Sequence, residues 1–207
     1  LIPLGKLILS VAGATALFIC VVALIASLFT GFNFFHVIRA LKDILFLAFS
    51  TASSEAALPG AMKRLEELGV PKTIVTFVMP TGYSFNLDGS TLYSSAGILF
   101  IAQLYGIQMP IEQQLLVMVT LMLSTKGIAG VPGAGIIVVA ATAAAFNLPT
   151  EGVAILLGID RLLDMIRTIC NVCGNCMATV VVACWEKELN KATFNEKYRA
   201  FLGGKNG

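Results

Sequence analysis

The stretch from Leu4 to Phe29 is apolar almost throughout. About 20 residues, each rising about 1.5 Å, cross the hydrocarbon layer of a bilayer, so this run is long enough for one membrane-spanning helix. Backbone inside lipid must satisfy its own hydrogen bonds, which limits a spanning chain to helices or closed barrels. Composition points the same way, because 57% of the residues are hydrophobic, only 13% are charged and the mean hydropathy is +0.86. An ordinary soluble domain is not built like this. The predicted fold class is an all-α, multi-pass integral membrane protein.

The placement of basic residues orients such a chain, since Lys and Arg concentrate in cytoplasmic loops. Arg39, Lys42, Lys63, Arg64 and Lys72 lie between the first two long apolar blocks, and Lys187, Lys191, Lys197, Arg199 and Lys205 follow the last one. These regions, and with them the C-terminus, are expected on the cytoplasmic side. The connections near Tyr105 to Gln114 and Phe146 to Gly152 carry only Glu112 and Glu151 and are expected to face outward. The sequence opens at Leu1 inside a membrane-like segment, without an initiator Met or signal peptide, and is expected to be a fragment.

Between the basic clusters, Val37 to Leu68 contains too many small and polar residues for a plain span, with Ser50 to Glu55 at its middle. Two short helices meeting at a Ser-rich tip fit it better. Pro71 opens a segment that is apolar to Met79 and again from Leu92 to Leu104, interrupted by Pro80 to Ser90. That interruption predicts an unwound helix. The pattern then repeats, as Leu115 to Leu123 and Ile136 to Phe146 flank the glycine-rich Ser124 to Gly135. Each arm is too short to span and long enough to enter and return. The expected organisation is a transport domain over 1–186: a transmembrane helix at 1–31, a first re-entrant hairpin at 32–69, a broken transmembrane helix at 70–106, a second re-entrant hairpin at 107–150 and a transmembrane helix at 151–186. A cytoplasmic tail occupies 187–207. Broken segments in corresponding positions of two inverted halves point to a transporter's midplane site.

Asp164, Arg167, Thr168, Asn171 and Asn175 fall at helical spacing, on one face of one helix inside an apolar segment. Ionisable groups cost about 3 kcal/mol or more at a bilayer centre, so such a stripe calls for a water-lined cavity, a partner or a solute. Arg167, a planar fork of donors, suits a carboxylate, and Asp164 one turn earlier suits an ammonium. The hairpin tips offer half-helix ends whose amides favour an anion, with hydroxyls of Ser53 and Ser54 on one side and the Ile128 to Gly133 backbone on the other. Side-chain oxygens of Asn86, Asp88, Asn171 and Asn175, with carbonyls released by unwinding at Gly82 and Ser84, make a hard-cation site.

Other chemistries fit less well. Asp164 and Arg167 could form a structural ion pair at i, i+3. Asp160 and Arg161 read as a helix cap and a snorkelling side chain, and Lys126 as a solvated charge at a hairpin tip. Cys170, Cys173 and Cys176 spell C-x-x-C-x-x-C, yet on a continuous helix these positions drift around the surface and do not converge on a metal. The glycine-rich segment lacks the residue order of a phosphate loop. His36 is the only histidine and lies near a membrane boundary, so a hydrolase built on Ser53 or Ser54 lacks a base. One built on Asp88 and Asp164 is opposed by Arg167, which holds Asp164 ionised. No enzyme, cofactor or nucleic-acid partner is expected.

Four stretches, Ser53-Ser54, Asn86-Leu87-Asp88-Gly89-Ser90, Gly130 to Gly135 and Asp164-x-x-Arg167-Thr168-x-x-Asn171, resemble the dicarboxylate/amino acid:cation symporter family in order and spacing over nearly the whole chain. The resemblance implies a secondary symporter of acidic amino acids in a bacterial-type plasma membrane, coupled to Na+ and/or H+. It implies an elevator mechanism, in which the transport domain slides against a homotrimerising scaffold and the second hairpin gates the outer side. It implies substrate contacts from Ser54, Val131, Asp164, Arg167, Thr168 and Asn171, and Ser53, Ser90 and Gly133 beside them are expected in the same site. It also implies sodium ligands from Gly82, Asn86, Asp88 and Asn171 in one place, and from backbone at Ser84, Thr125, Lys126 and Ile128 in another.

Departures from the family pattern refine these expectations. Sodium-coupled relatives carry Asp where this chain has Asn175, whereas Asn resembles bacterial members of proton-coupled or mixed type. Relatives have Met and Thr at Leu87 and Ser90. Neither Ala52 nor Met165 is the arginine that archaeal or animal members place there. C4-dicarboxylate carriers resemble this chain but have Ser at Asp164, so Asp164 together with Arg167 favours an acidic amino acid over a C4-dicarboxylate.

Overall fold

The computed structural model describes residues 2–85, 87–126 and 132–203, and its described elements are all α-helices. Helix α1 (Ile2–Thr30) is the apolar span that the sequence predicts, with Leu9, Leu17, Leu24, Leu28 and Phe29 exposed along it. Its length and composition suffice to cross a membrane, as do those of α10 (Asp160–Trp185). The two differ in surroundings, because α10 is buried along most of its length by α1, α3, α4, α5 and α6.

Helices α2 (Phe34–Ala40) and α3 (Lys42–Thr51) form one arm with a break at Leu41, and α4 (Ser54–Glu67) returns along it. Asp43, near the start of α3, pairs with Arg64, near the end of α4, at 2.9 Å, so the two helices run antiparallel as a hairpin. The reversal is made at Ala52, whose φ of 51° ends α3 in the left-handed region, and at Ser53, which caps α4. Helices α7 (Ile111–Ser124) and α8 (Ala134–Ala145) form the second pair, with Gly133 at φ 80° opening α8.

Two broken helices follow the two pairs. Helix α5 (Lys72–Phe85) is succeeded by α6 (Asp88–Leu104), and α9 (Glu151–Leu157) by α10 after Gly158 and Ile159. The first break is narrower than the sequence predicts, because α5 continues through Pro80 and Gly82 to Phe85. Proline removes one helical donor, which leaves the bond to the carbonyl four residues back unmade. Burial of Ile74, Val75, Met79 and Tyr83 on one side of α5 outweighs that loss, and Thr81 adds a hydroxyl bond to the Phe77 carbonyl at 2.7 Å.

The stretch expected as a tail holds α11 (Lys191–Gly203), which packs on α2. Phe194 meets Phe32 edge to face at 5.5 Å, and Tyr198 stacks on His36 at 4.4 Å. Apolar packing divides into two clusters. One joins α2 to α5 with the later half of α10, and the other joins α6 to α9 with Leu163 at the start of α10. The polar stripe of α10 thus lies where the two clusters meet.

Candidate functional site

Asp164, Arg167, Thr168, Asn171 and Asn175 project from one buried face of α10, each no more than 2% exposed. Asp164 and Arg167 form the ion pair anticipated from their spacing, through Asp164 Oδ1 and Arg167 Nε. Two charges removed this far from water need further partners to hold them. Thr168 turns its hydroxyl back to the Asp164 carbonyl at 2.7 Å, and the remaining contacts come from other helices.

The start of α6 supplies the first group of them. Ser90 Oγ accepts hydrogen bonds from Arg167 Nη1 at 2.8 Å and from Asn171 Nδ2 at 3.1 Å. Asn171 Oδ1 in turn accepts the Gly89 amide at 2.8 Å. This approach requires glycine, because a Cβ on residue 89 would overlap the Arg167 carbonyl oxygen and sit 2.7 Å from Cys170 Cβ. Backbone of α6 therefore lies directly against backbone of α10, which is what lets a side chain as short as Ser90 reach the stripe.

The second hairpin supplies the next contact. The Gly133 amide, at the N-terminus of α8, donates to Asp164 Oδ2 at 2.8 Å. The anion that the sequence placed at this tip is, in the structure, the chain's own carboxylate. Val131 and Ile128, both predicted ligands, lie outside the described residues, as does Asn86. Thr125 is buried and its hydroxyl lies 3.0 Å from that of Thr91, joining the end of α7 to the first turn of α6. Lys126, read as a solvated tip charge, donates from Nζ to the Phe85 carbonyl at 2.6 Å.

The first hairpin meets α10 one turn before Asp164. Arg161 Nη2 donates to the carbonyls of Ser50 and Thr51 at 3.3 and 3.2 Å, the last carbonyls of α3. Arg161, expected as a snorkelling side chain, is exposed and in addition reaches the first hairpin's backbone. Ser53 Oγ caps α4 by accepting the Ala56 amide at 3.3 Å, and Ser54 is buried as the first residue of that helix.

The cation ligands need one correction. Gly82 and Ser84 are helical, so their carbonyls are released by the end of α5 at Phe85 and not by unwinding; the last four carbonyls of any helix lack amide partners within it. Asn175 Oδ1 lies against Gly82, where a Cβ would overlap it, and so reaches this end of α5 from α10. Asp88 begins α6 on the other side of the break.

Tyr93 escaped the sequence reading. Its hydroxyl donates to Asp160 Oδ1 at 2.5 Å, and its ring packs against Gly135, which Arg167 Nε also faces. Asp160 therefore does not cap α10, whose cap residue is Ile159. For Asp160, though not for Tyr93, a signal was present, since it lies one turn before Asp164 and extends the same stripe. A cavity of about 490 Å³ between α1 and α6, lined by Leu7, Ala96, Leu99, Phe100 and Leu104 among others, contains none of the predicted site residues.

Comparison with known proteins places this geometry in a family. The chain is 53% identical over 192 residues to a proton/sodium-glutamate symport protein of Geobacillus stearothermophilus, covering 92% of this chain and 45% of that protein. It is 48% identical over 201 residues to a proton/glutamate-aspartate symporter of Escherichia coli strain K12, covering 97% and 46%. A C4-dicarboxylate transport protein of Burkholderia pseudomallei strain 668 is 44% identical over 205 residues, covering 99% and 47%. The chain spans about half the length of the relatives it matches. The sequence pattern of the sodium:dicarboxylate symporter family matches residues 1–185, and the chain belongs to that family of membrane symporters.

Proposed function

We propose that this chain forms the substrate- and cation-binding part of a secondary symporter of L-glutamate and L-aspartate, driven by sodium, protons or both. The observation that carries the reading is the buried Asp164–Arg167 pair braced by Ser90 and Gly133. An acidic amino acid carries the complementary charges: its ammonium takes Asp164 and its side-chain carboxylate takes Arg167, so both buried groups exchange one charged partner for another. Its α-carboxylate is then left to the amides and hydroxyls of the hairpin tips, with Val131, Ser53, Ser54 and Gly133 facing it, and Thr168 and Asn171 completing the contacts. Coupling cations bind at the oxygen-rich end of α5, between Gly82, Ser84, Asn86, Asp88, Asn171 and Asn175, with Thr125, Lys126 and Ile128 contributing backbone from the second hairpin.

In the same reading, α3–α4 and α7–α8 are re-entrant hairpins within a bilayer, the C-terminus is cytoplasmic, and the chain moves as an elevator against a trimeric scaffold. The 44% identical C4-dicarboxylate transport protein favours a second reading, in which succinate is carried and Asp164 has no amine to meet. Uptake of radiolabelled L-aspartate into proteoliposomes holding the full-length parent separates the two. Saturable aspartate uptake resistant to excess succinate supports the first; succinate accumulation without aspartate uptake supports the second. Within the first reading, Asp164→Ser lowers aspartate affinity by about 30-fold or more, because removing one partner of a buried charge pair costs at least about 2 kcal/mol, while succinate recognition survives. Unchanged aspartate affinity would remove the amine from Asp164.

A further inference from the structure

The α5–α6 break gathers negative ends with few cations of their own. Helix α5 stops at Phe85 and α7 at Ser124, and neither carries a basic residue in its last turn. Each therefore ends in carbonyls without helical partners and the negative end of its dipole. The hydroxyls of Thr91 and Thr125, 3.0 Å apart, hold the end of α7 beside the first turn of α6 and hence beside the end of α5. Asp88, the first residue of α6, adds a carboxyl group that interacts with Lys126. Oxygen ligands collected in this way suit a hard cation.

That cation is already part of the chain. Lys126, one residue beyond the cap of α7, places Nζ 2.6 Å from the Phe85 carbonyl, within the reach of a charge-assisted hydrogen bond. An ammonium is a compact, strongly hydrated point charge with three donors, close in kind to an alkali-metal ion. Two such charges on one carbonyl repel, so a mobile ion reaches this oxygen only if the lysine leaves it.

We infer that the Lys126 ammonium is a tethered cation at the carbonyl end of α5, which competes with mobile sodium there and so sets how many sodium ions accompany each substrate. The inference rests on the symporter reading for its consequence in transport, but not for its chemistry. It makes Lys126 a determinant of coupling-ion selectivity through its side chain, beyond the backbone contribution that the family resemblance implies.

The test uses Lys126→Met in the full-length parent protein, a change that keeps an unbranched side chain one atom shorter and removes its charge. In proteoliposomes, L-aspartate uptake by the variant is expected to depend more steeply on sodium than that of the wild type, with a higher Hill coefficient, and Lys126→Arg is expected to restore the wild-type curve. Wild-type and Met curves that superimpose overturn the inference. Should the Met variant take up no aspartate, the melting temperature of the purified protein in sodium chloride against choline chloride decides instead. A sodium-dependent rise about twofold larger than in the wild type supports the tethered cation, and an equal or smaller rise overturns it. A wild-type parent that takes up no aspartate overturns the acidic amino acid reading, whereas the melting comparison still decides the role of Lys126.

Discussion

Asn175 shows how a single atom is expected to set ion preference. Its side-chain oxygen reaches the end of α5 at Gly82, where released carbonyls collect, but it brings no charge of its own. Asn175→Asp adds a carboxylate to that oxygen-rich end. The sodium concentration giving half-maximal aspartate uptake is expected to fall by about tenfold, the equivalent of about 1.4 kcal/mol. A half-saturation point that does not move would separate Asn175 from the cation site. The stripe carrying this residue was legible because helical periodicity alone decides which side chains share a face. Ser90 was legible only as part of a motif, and Tyr93 not at all. Their partners Arg167 and Asp160 lie 77 and 67 residues further along the chain, and no local pattern announces a pairing at that distance.

At the scale of elements, two helix pairs, around a Ser-rich and a Gly-rich stretch, and a broken helix between them could be read from arm lengths, whereas the break between α9 and α10, inside the helix expected over 151–186, could not. The extent of the first break could not. Pro80 and Gly82 weaken a helix in isolation, yet packing of Met79 and Tyr83 carries α5 past both. Arg161 was likewise read from its position near a helix start, and its reach to the Ser50 and Thr51 carbonyls depends on where the first hairpin docks. Those bonds are exposed to solvent or lipid headgroups, so their contribution is modest, on the order of 1 kcal/mol. Arg161→Ala is expected to accelerate amide hydrogen exchange at residues 50–54 by about fivefold while leaving α8 unchanged. Equal exchange in variant and wild type would show that the tip is held by other contacts.

For the molecule as a whole, the prediction concerns energy sources. With an amide at position 175 and an ammonium at the end of α5, sodium meets fewer charged oxygens than in relatives with Asp at that position, and protons are expected to share the work. Full-length protein in proteoliposomes is expected to accumulate aspartate under an imposed pH gradient without sodium, and more with both gradients. Uptake that rises steeply with sodium and ignores pH would contradict this. The membrane character behind it was legible from α1 alone, whereas the docking of α11 on α2 was not, since it rests on the meeting of Phe194 and Tyr198 with Phe32 and His36 from the far end of the sequence.

The buried pair on α10 also has an electrical side. Moving one elementary charge through a membrane potential involves about 2.3 kcal/mol per 100 mV. Asp164 and Arg167 carry opposite charges on adjacent turns of one helix, so voltage pulls on them in equal and opposite measure. A zwitterion with a second carboxylate adds one negative charge to that neutral couple. In the proposed symport, the charge moved with each substrate is then the number of accompanying cations less one, so current measured per substrate, with one added, counts them.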